Sequence, residues 1–177
     1  LAEQSEVPVA CGRETSLATD HAFPDWLRDS VDNLAGLELP PNPTPPFDGS
    51  AVDLLTQTLQ DSAEPVTIVT LGPLTNVALA VERAPDFLSL LKGIVCLGGS
   101  VTAGGDVTPA AEYNVYLDAH SAQSVLVSPA TKTLVPRDVS TAPLLSFDQH
   151  QRLPCGNDTP VGRLLHQMLP FSLRAHH

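Results

Sequence analysis

A chain of 177 residues, 42% of them hydrophobic, can bury a sizeable core and fits the size of one domain. Its 20 acidic residues against 9 basic ones leave a formal charge of -11, which excludes a protein that tracks nucleic-acid phosphates with clustered lysines and arginines. No apolar run approaches the roughly 18 to 20 residues that cross a bilayer, so no membrane span is expected.

Taken in chain order, the β-branched stretch at 7–10 predicts a first buried strand, and a proline-rich surface loop is expected over about 20–47, where Pro40-Pro41-Asn42-Pro43-Thr44-Pro45-Pro46 reads as an extended excursion. A loop of that length inside a domain suits a lid or entrance. Val52, Leu55 and Leu59 recur at helical spacing and predict an amphipathic helix over 50–61. Strands are expected at 66–71, 93–97 and 132–135, with helices over 73–83, 85–91 and 121–127 between them. A last helix over 159–174 contains Pro170, which should end or kink it. Strands alternating with helices predict an α/β fold, an open and mainly parallel sheet with helices on both faces, in a single domain spanning 1–177.

In such sheets ligands bind outside the carboxyl ends of the strands. The turns that follow three expected strands are polar or glycine-rich: Thr70-Leu71-Gly72-Pro73-Leu74-Thr75-Asn76, Leu97-Gly98-Gly99-Ser100 and Val135-Pro136-Arg137-Asp138-Val139-Ser140. They should share one edge. Further on, Glu112 and Asn114 stand two residues apart, and in an extended segment both would point to one face and grip adjacent hydroxyls of a small polyol, with Tyr113 directed inward. Asp118 has the look of an N-cap for the helix that follows. Gly98-Gly99 permits close approach of a ligand, but no G-x-G-x-x-G opens a helix here, and Asp106 would reach toward whatever Glu112 and Asn114 hold. His21, His120, His150 and His166 lack paired metal-ligand spacing, and the absence of G-x-S-x-G removes support for a serine hydrolase. Cys11, Cys96 and Cys155 are odd in number and without CxxC spacing, which indicates neither zinc site nor disulfide framework and leans toward a reducing compartment such as the cytoplasm, with localisation open.

Taken together, Val66-Thr67-Ile68-Val69-Thr70-Leu71-Gly72-Pro73-Leu74-Thr75-Asn76-Val77-Ala78, the Leu97-Gly98-Gly99 turn and Ala111-Glu112-Tyr113-Asn114-Val115-Tyr116-Leu117-Asp118 resemble, in order and spacing, the inosine/uridine-preferring nucleoside hydrolases. The resemblance runs from about Ser50 to Asp138, and more loosely from Val7. It implies cleavage of the N-ribosidic bond of purine or pyrimidine nucleosides in a pocket built around a calcium ion, and a homo-oligomer. By the same resemblance Glu112 and Asn114 would hydrogen-bond the ribose hydroxyls, the backbone carbonyl of Thr70 would ligate Ca2+, Leu97 would lend backbone to the pocket wall, and Asp106 falls near a sugar-contacting position that is more often asparagine.

The chain departs from the family in two places. It has no D-x-D-x-x-x-D-D cluster, the source of the family's catalytic base and most calcium ligands, and no later segment carrying a histidine beside the leaving base and a last aspartate ligand. The catalytic residue is therefore unassigned. The expectation is the central portion of a longer domain with both ends missing, itself a poor calcium binder and inactive, because one carbonyl cannot hold an ion that takes six to eight oxygens. The alternatives are a noncatalytic nucleoside- or sugar-binding homologue and, third, an α/β domain serving only as a subunit surface.

Overall fold

Burial alternates along Val66–Thr70, where Ile68 and Thr70 are buried while Thr67 and Val69 are exposed, and this period of two makes the first strand, β1. β1 pairs in parallel with β2 (Leu91–Leu97), which pairs in parallel with β3 (Lys132–Val135), so the sheet order is β1-β2-β3. The structure, a computed structural model, describes residues 7–18, 45–84, 86–141, 147–152 and 159–175.

Parallel neighbours need crossovers, and helices supply them. Helix α1 (Ala51–Asp61) leads into β1; α2 (Thr75–Arg83) and a 3-10 turn (Phe87–Leu90) join β1 to β2; α3 (Tyr113–Leu117) and α4 (Ala119–Val127) join β2 to β3. The register sets Ile68 beside Ile94 and Thr70 beside Cys96, on one face of the sheet. That face carries the core. Ile68, Ile94 and Cys96 cluster with Val52 and Leu59 of α1, Val77, Ala78 and Ala80 of α2, and Ala122 and Val125 of α4. Phe87, 1% exposed, closes the cluster from the 3-10 turn, and a fully buried side chain of its kind contributes about 1.5–3 kcal/mol. On the opposite face Val69 is 61% exposed.

The open parallel α/β architecture agrees with the sequence reading, and so do the helix over Ala51–Asp61 and the three strands after it, to within two residues. A capping box explains the sharp start of α1: the Ser50 hydroxyl accepts from the Asp53 amide at 3.2 Å, and the Asp53 carboxylate accepts from the Ser50 amide at 2.9 Å. The strand expected at 7–10 does not form. Cys11 makes only an isolated parallel bridge with Ser50, since Val7 and Val9 remain exposed and β-propensity without a neighbouring strand does not fix an extended chain. Three short helices were not expected: α3, α5 (Arg137–Ser140) and α6 (Phe147–Arg152). The long last helix, α7 (Pro160–Ala175), contains Pro170 and continues beyond it. The proline-rich stretch expected as a loop over 20–47 falls mostly on 19–44, outside the described residues.

The chain divides into two compact units. One, Pro8–Ala22 with Pro46–Ala142, holds the sheet and its helices. The other, Leu1–Val7 with Phe23–Pro45 and Pro143–His177, holds α6 and α7, whose His150 and His166 rings stack with centroids 4.6 Å apart. His150 Nε2 lies 3.3 Å from the His166 carbonyl, which can only accept, so that nitrogen carries a proton. Among the described residues no helix is long and apolar enough to cross a membrane.

Candidate active site at the carboxyl edge of the sheet

Three adjacent parallel strands bring their carboxyl ends to one edge, and hydrogen bonds tie the three turns there together. The Gly98 amide donates to the Val135 carbonyl at 3.2 Å, and the Arg137 amide donates to the Gly99 carbonyl at 2.8 Å. Between the ends of β1 and β2 sits Asn114, whose Nδ2 donates to the Leu97 carbonyl at 3.0 Å and toward the Leu71 carbonyl at 3.4 Å. Two carbonyls fix the amide orientation, since only the NH2 end can serve both.

Glu112 is the second fixed point. Its Oε2 accepts from the Gly99 amide at 2.7 Å and from the Val115 amide at 3.3 Å, while Oε1 accepts from the Asn114 amide at 3.0 Å. Glu112 thus caps α3 and at the same time holds the glycine turn against it. The extended segment expected around Glu112 and Asn114 is therefore corrected: only Glu112 is extended, and Asn114 stands in the first helical turn. The two side chains still meet at the same edge, 9% and 8% exposed. Gly98, at φ 154°, and Gly99, at φ 77°, occupy backbone conformations that favour glycine, and a Cβ on Gly98 would stand 3.2 Å from Glu112 Oε2.

The other expected residues fall into place unequally. Leu97 lends its carbonyl to Asn114, as above. Thr70 ends β1 with its side chain among the buried groups, and its Oγ1 has no hydrogen-bond partner; the carbonyl that meets Asn114 belongs to the next residue, Leu71. Asp106 is exposed, with Oδ2 3.9 Å from Arg137 Nε. Among the described residues no three His, Cys, Asp or Glu side chains gather as metal ligands. The donor set among the described residues, one strand-end carbonyl and one lone hydroxyl, does not fit a calcium shell of six to eight oxygens.

Two carboxylates that the sequence did not single out as site-building brace this edge. Asp138 accepts from the Val101, Thr102 and Ala103 amides at 2.8, 2.7 and 2.9 Å and from the Thr102 hydroxyl at 2.6 Å. Those bonds, the Thr102 hydroxyl foremost, hold its carboxyl well below the usual carboxylate range. Asp118 caps α4 through the Ser121 amide and also accepts from the Thr75 hydroxyl at 2.7 Å, the Ser121 hydroxyl at 2.6 Å and the Leu17 amide at 2.9 Å. Burial opposes its ionisation, but these donors outweigh burial and lower its pKa. Asn76 completes the brace: its Oδ1 accepts from the Arg13 amide at 3.0 Å, which lays segment 12–17 along the same edge. The cleft lined by Thr56, Gln60, Arg83, Ala84, Asp86 and Phe87 lies at the amino ends of the strands, away from this site.

A family model described as inosine-uridine preferring nucleoside hydrolase matches residues 1–177. A pyrimidine-specific ribonucleoside hydrolase, RihA, of Escherichia coli O7:K1 is 36% identical over 180 residues, covering 99% of this chain and 56% of that protein. Among solved structures, the plant nucleoside hydrolase PpNRh1 superposes with a TM-score of 0.80 at 30% identity, over 92% of this chain and 51% of its own. A purine-preferring ribonucleoside hydrolase from Gardnerella vaginalis gives a TM-score of 0.87 at 26% identity, over 97% of this chain and 55% of its own. The chain spans about half the length of the relatives it matches.

Proposed function

Because the chain belongs to the inosine-uridine preferring nucleoside hydrolase family, we propose that it supplies the ribose-holding edge of an enzyme that hydrolyses the N-ribosidic bond of purine or pyrimidine nucleosides to ribose and free base. The observation that carries this reading is the state of Asn114 and Glu112. With Nδ2 spent on two carbonyls, Asn114 keeps Oδ1, which meets no donor among the described residues. A carboxylate offers about four acceptor positions, and Glu112 uses three of them. What remains at this edge is a pair of acceptors, one of them charged, suited to two hydroxyl donors such as the ribose diol. Because both are fixed by the backbone before any ligand arrives, they need no reorganisation as positive charge develops on the ribose ring, and the carboxylate favours that charge more than it favours the neutral substrate.

A second reading, a nucleoside- or sugar-binding homologue without turnover, draws on the missing acidic gathering among the described residues. Calorimetric titration of the protein with ribose and with inosine, calcium present, tests the shared part. Saturable binding that weakens in Glu112→Ala and Asn114→Ala at retained helicity is the expected outcome; equal binding by both variants removes the site assignment. Release of free base from inosine or uridine carries the first reading, and saturable binding without release carries the second.

A further inference from the structure

We propose that Asp138 is a positioning residue of this ribose edge, acting through the loop that leads from the glycine turn. Three consecutive amides, from Val101, Thr102 and Ala103, converge on its carboxylate, and the Thr102 hydroxyl joins them; the Ser100 hydroxyl stands further off at 3.4 Å. Successive amides turned to one side form a concavity that holds an anion, and here the anion is the protein's own side chain. Its neighbour Arg137 grips the same loop: its amide meets the Gly99 carbonyl at 2.8 Å, and its Nη1 lies 3.4 and 3.5 Å from the Ala103 and Gly104 carbonyls. Gly99 in turn donates to Glu112 Oε2 at 2.7 Å. A continuous line of bonds therefore runs from Asp138 through 101–103 and Gly99 to the carboxylate proposed to hold ribose. A loop left to itself across residues 98–106, with glycines at 98, 99, 104 and 105, would sample many conformations, and Glu112 would lose a charge-assisted bond whenever Gly99 moved.

The proposal rests on the ribose reading, and amide exchange combined with titration separates the two. In Asp138→Ala, exchange at Val101, Thr102, Ala103 and Gly99 should rise while β1 and β2 keep their protection, and inosine affinity should fall about tenfold, the loss of one charge-assisted hydrogen bond. Asp138→Asn keeps one carbonyl acceptor for the Thr102 and Ala103 amides, so it should recover part of both the protection and the affinity. Unchanged exchange at 101–103 in Asp138→Ala overturns the anchoring. Raised exchange with full affinity, where Glu112→Ala has lost affinity, overturns the positioning role and leaves the ribose reading standing. If neither Asp138→Ala nor Glu112→Ala alters affinity, the ribose reading fails and takes this proposal with it.

Discussion

Asp118 is 2% exposed and surrounded by four donors from three separate segments, Leu17, Thr75 and Ser121, so one carboxylate joins the 12–17 segment, the start of α2 and the start of α4. In Asp118→Asn one acceptor oxygen becomes a donor facing other donors, and the expected cost is about 2–3 kcal/mol in chemical denaturation. The pH sign follows from the direction of its shift. A carboxyl held below its ordinary value of 3.8 contributes stability that is full above that value and disappears as pH falls through the lower, folded value. Stability should therefore be level from pH 5 to 8 as far as this group is concerned and drop below about pH 4. Asp118→Asn should shrink the acid limb and leave the part that Asp138 contributes; an acid limb of unchanged size would show that Asp118 is not among its sources. For Glu112→Ala, loss of the α3 cap should cost about 1 kcal/mol, small enough for the fold to survive in a binding assay. Asp118 as a cap was legible in the sequence, because an aspartate before an apolar-periodic run has a local signature. Its bonds to Leu17 and Thr75 were not, since they span 101 and 43 residues.

The elements divide by length and by neighbourhood. Strands and long helices were readable because alternation and helical periodicity both reflect the buried face, as in Ile68 and Thr70 of β1 or Val52 and Leu59 of α1. The five-residue α3 was not, since glutamate is an unusual N-cap and so short a helix has hardly more than one turn of periodicity to show. The loop after β2 shows the same limit, for its order comes from Asp138, 35 to 37 residues away in the chain. Two glycines test this level. A Cβ on Gly105 would stand 2.2 Å from the backbone oxygens of Thr108 and Ala111, so Gly105→Ala must displace main chain and should cost about 1–3 kcal/mol. A Cβ on Gly72 meets nothing within 4 Å, and Gly72→Ala should be neutral or stabilising by up to about 1 kcal/mol, through reduced freedom of the unfolded chain. Thermal melts of the pair check both; a larger loss at Gly72 would contradict the packing described for the loop.

At the scale of the molecule, one sheet face is sealed by helices around Ile94 and Phe87, and the edge that carries the candidate site is a consequence of that packing, since parallel strands must end together. Phe87→Ala should cost about 3–5 kcal/mol, read as a lower denaturant midpoint at unchanged slope. The fold class and the family were legible because three motifs lie in order along the carboxyl edge, at Thr70 to Asn76, Leu97 to Gly99 and Glu112 to Asp118. What the sequence concealed is that Glu112 and Asn114 serve the protein itself, tying strand ends and a helix start, so that the proposed ribose site has only their left-over acceptors to use. The most direct measurement is a two-dimensional 15N–1H titration of the chain with inosine, which needs no substitution at residues that also hold the fold. Saturable shifts at the amides of Gly98, Gly99 and Asn114 and at the Asn114 side-chain amide are the expected result. Shifts confined to the cleft around Thr56, Arg83 and Phe87, or none at saturating inosine, would contradict a ribose site at this edge.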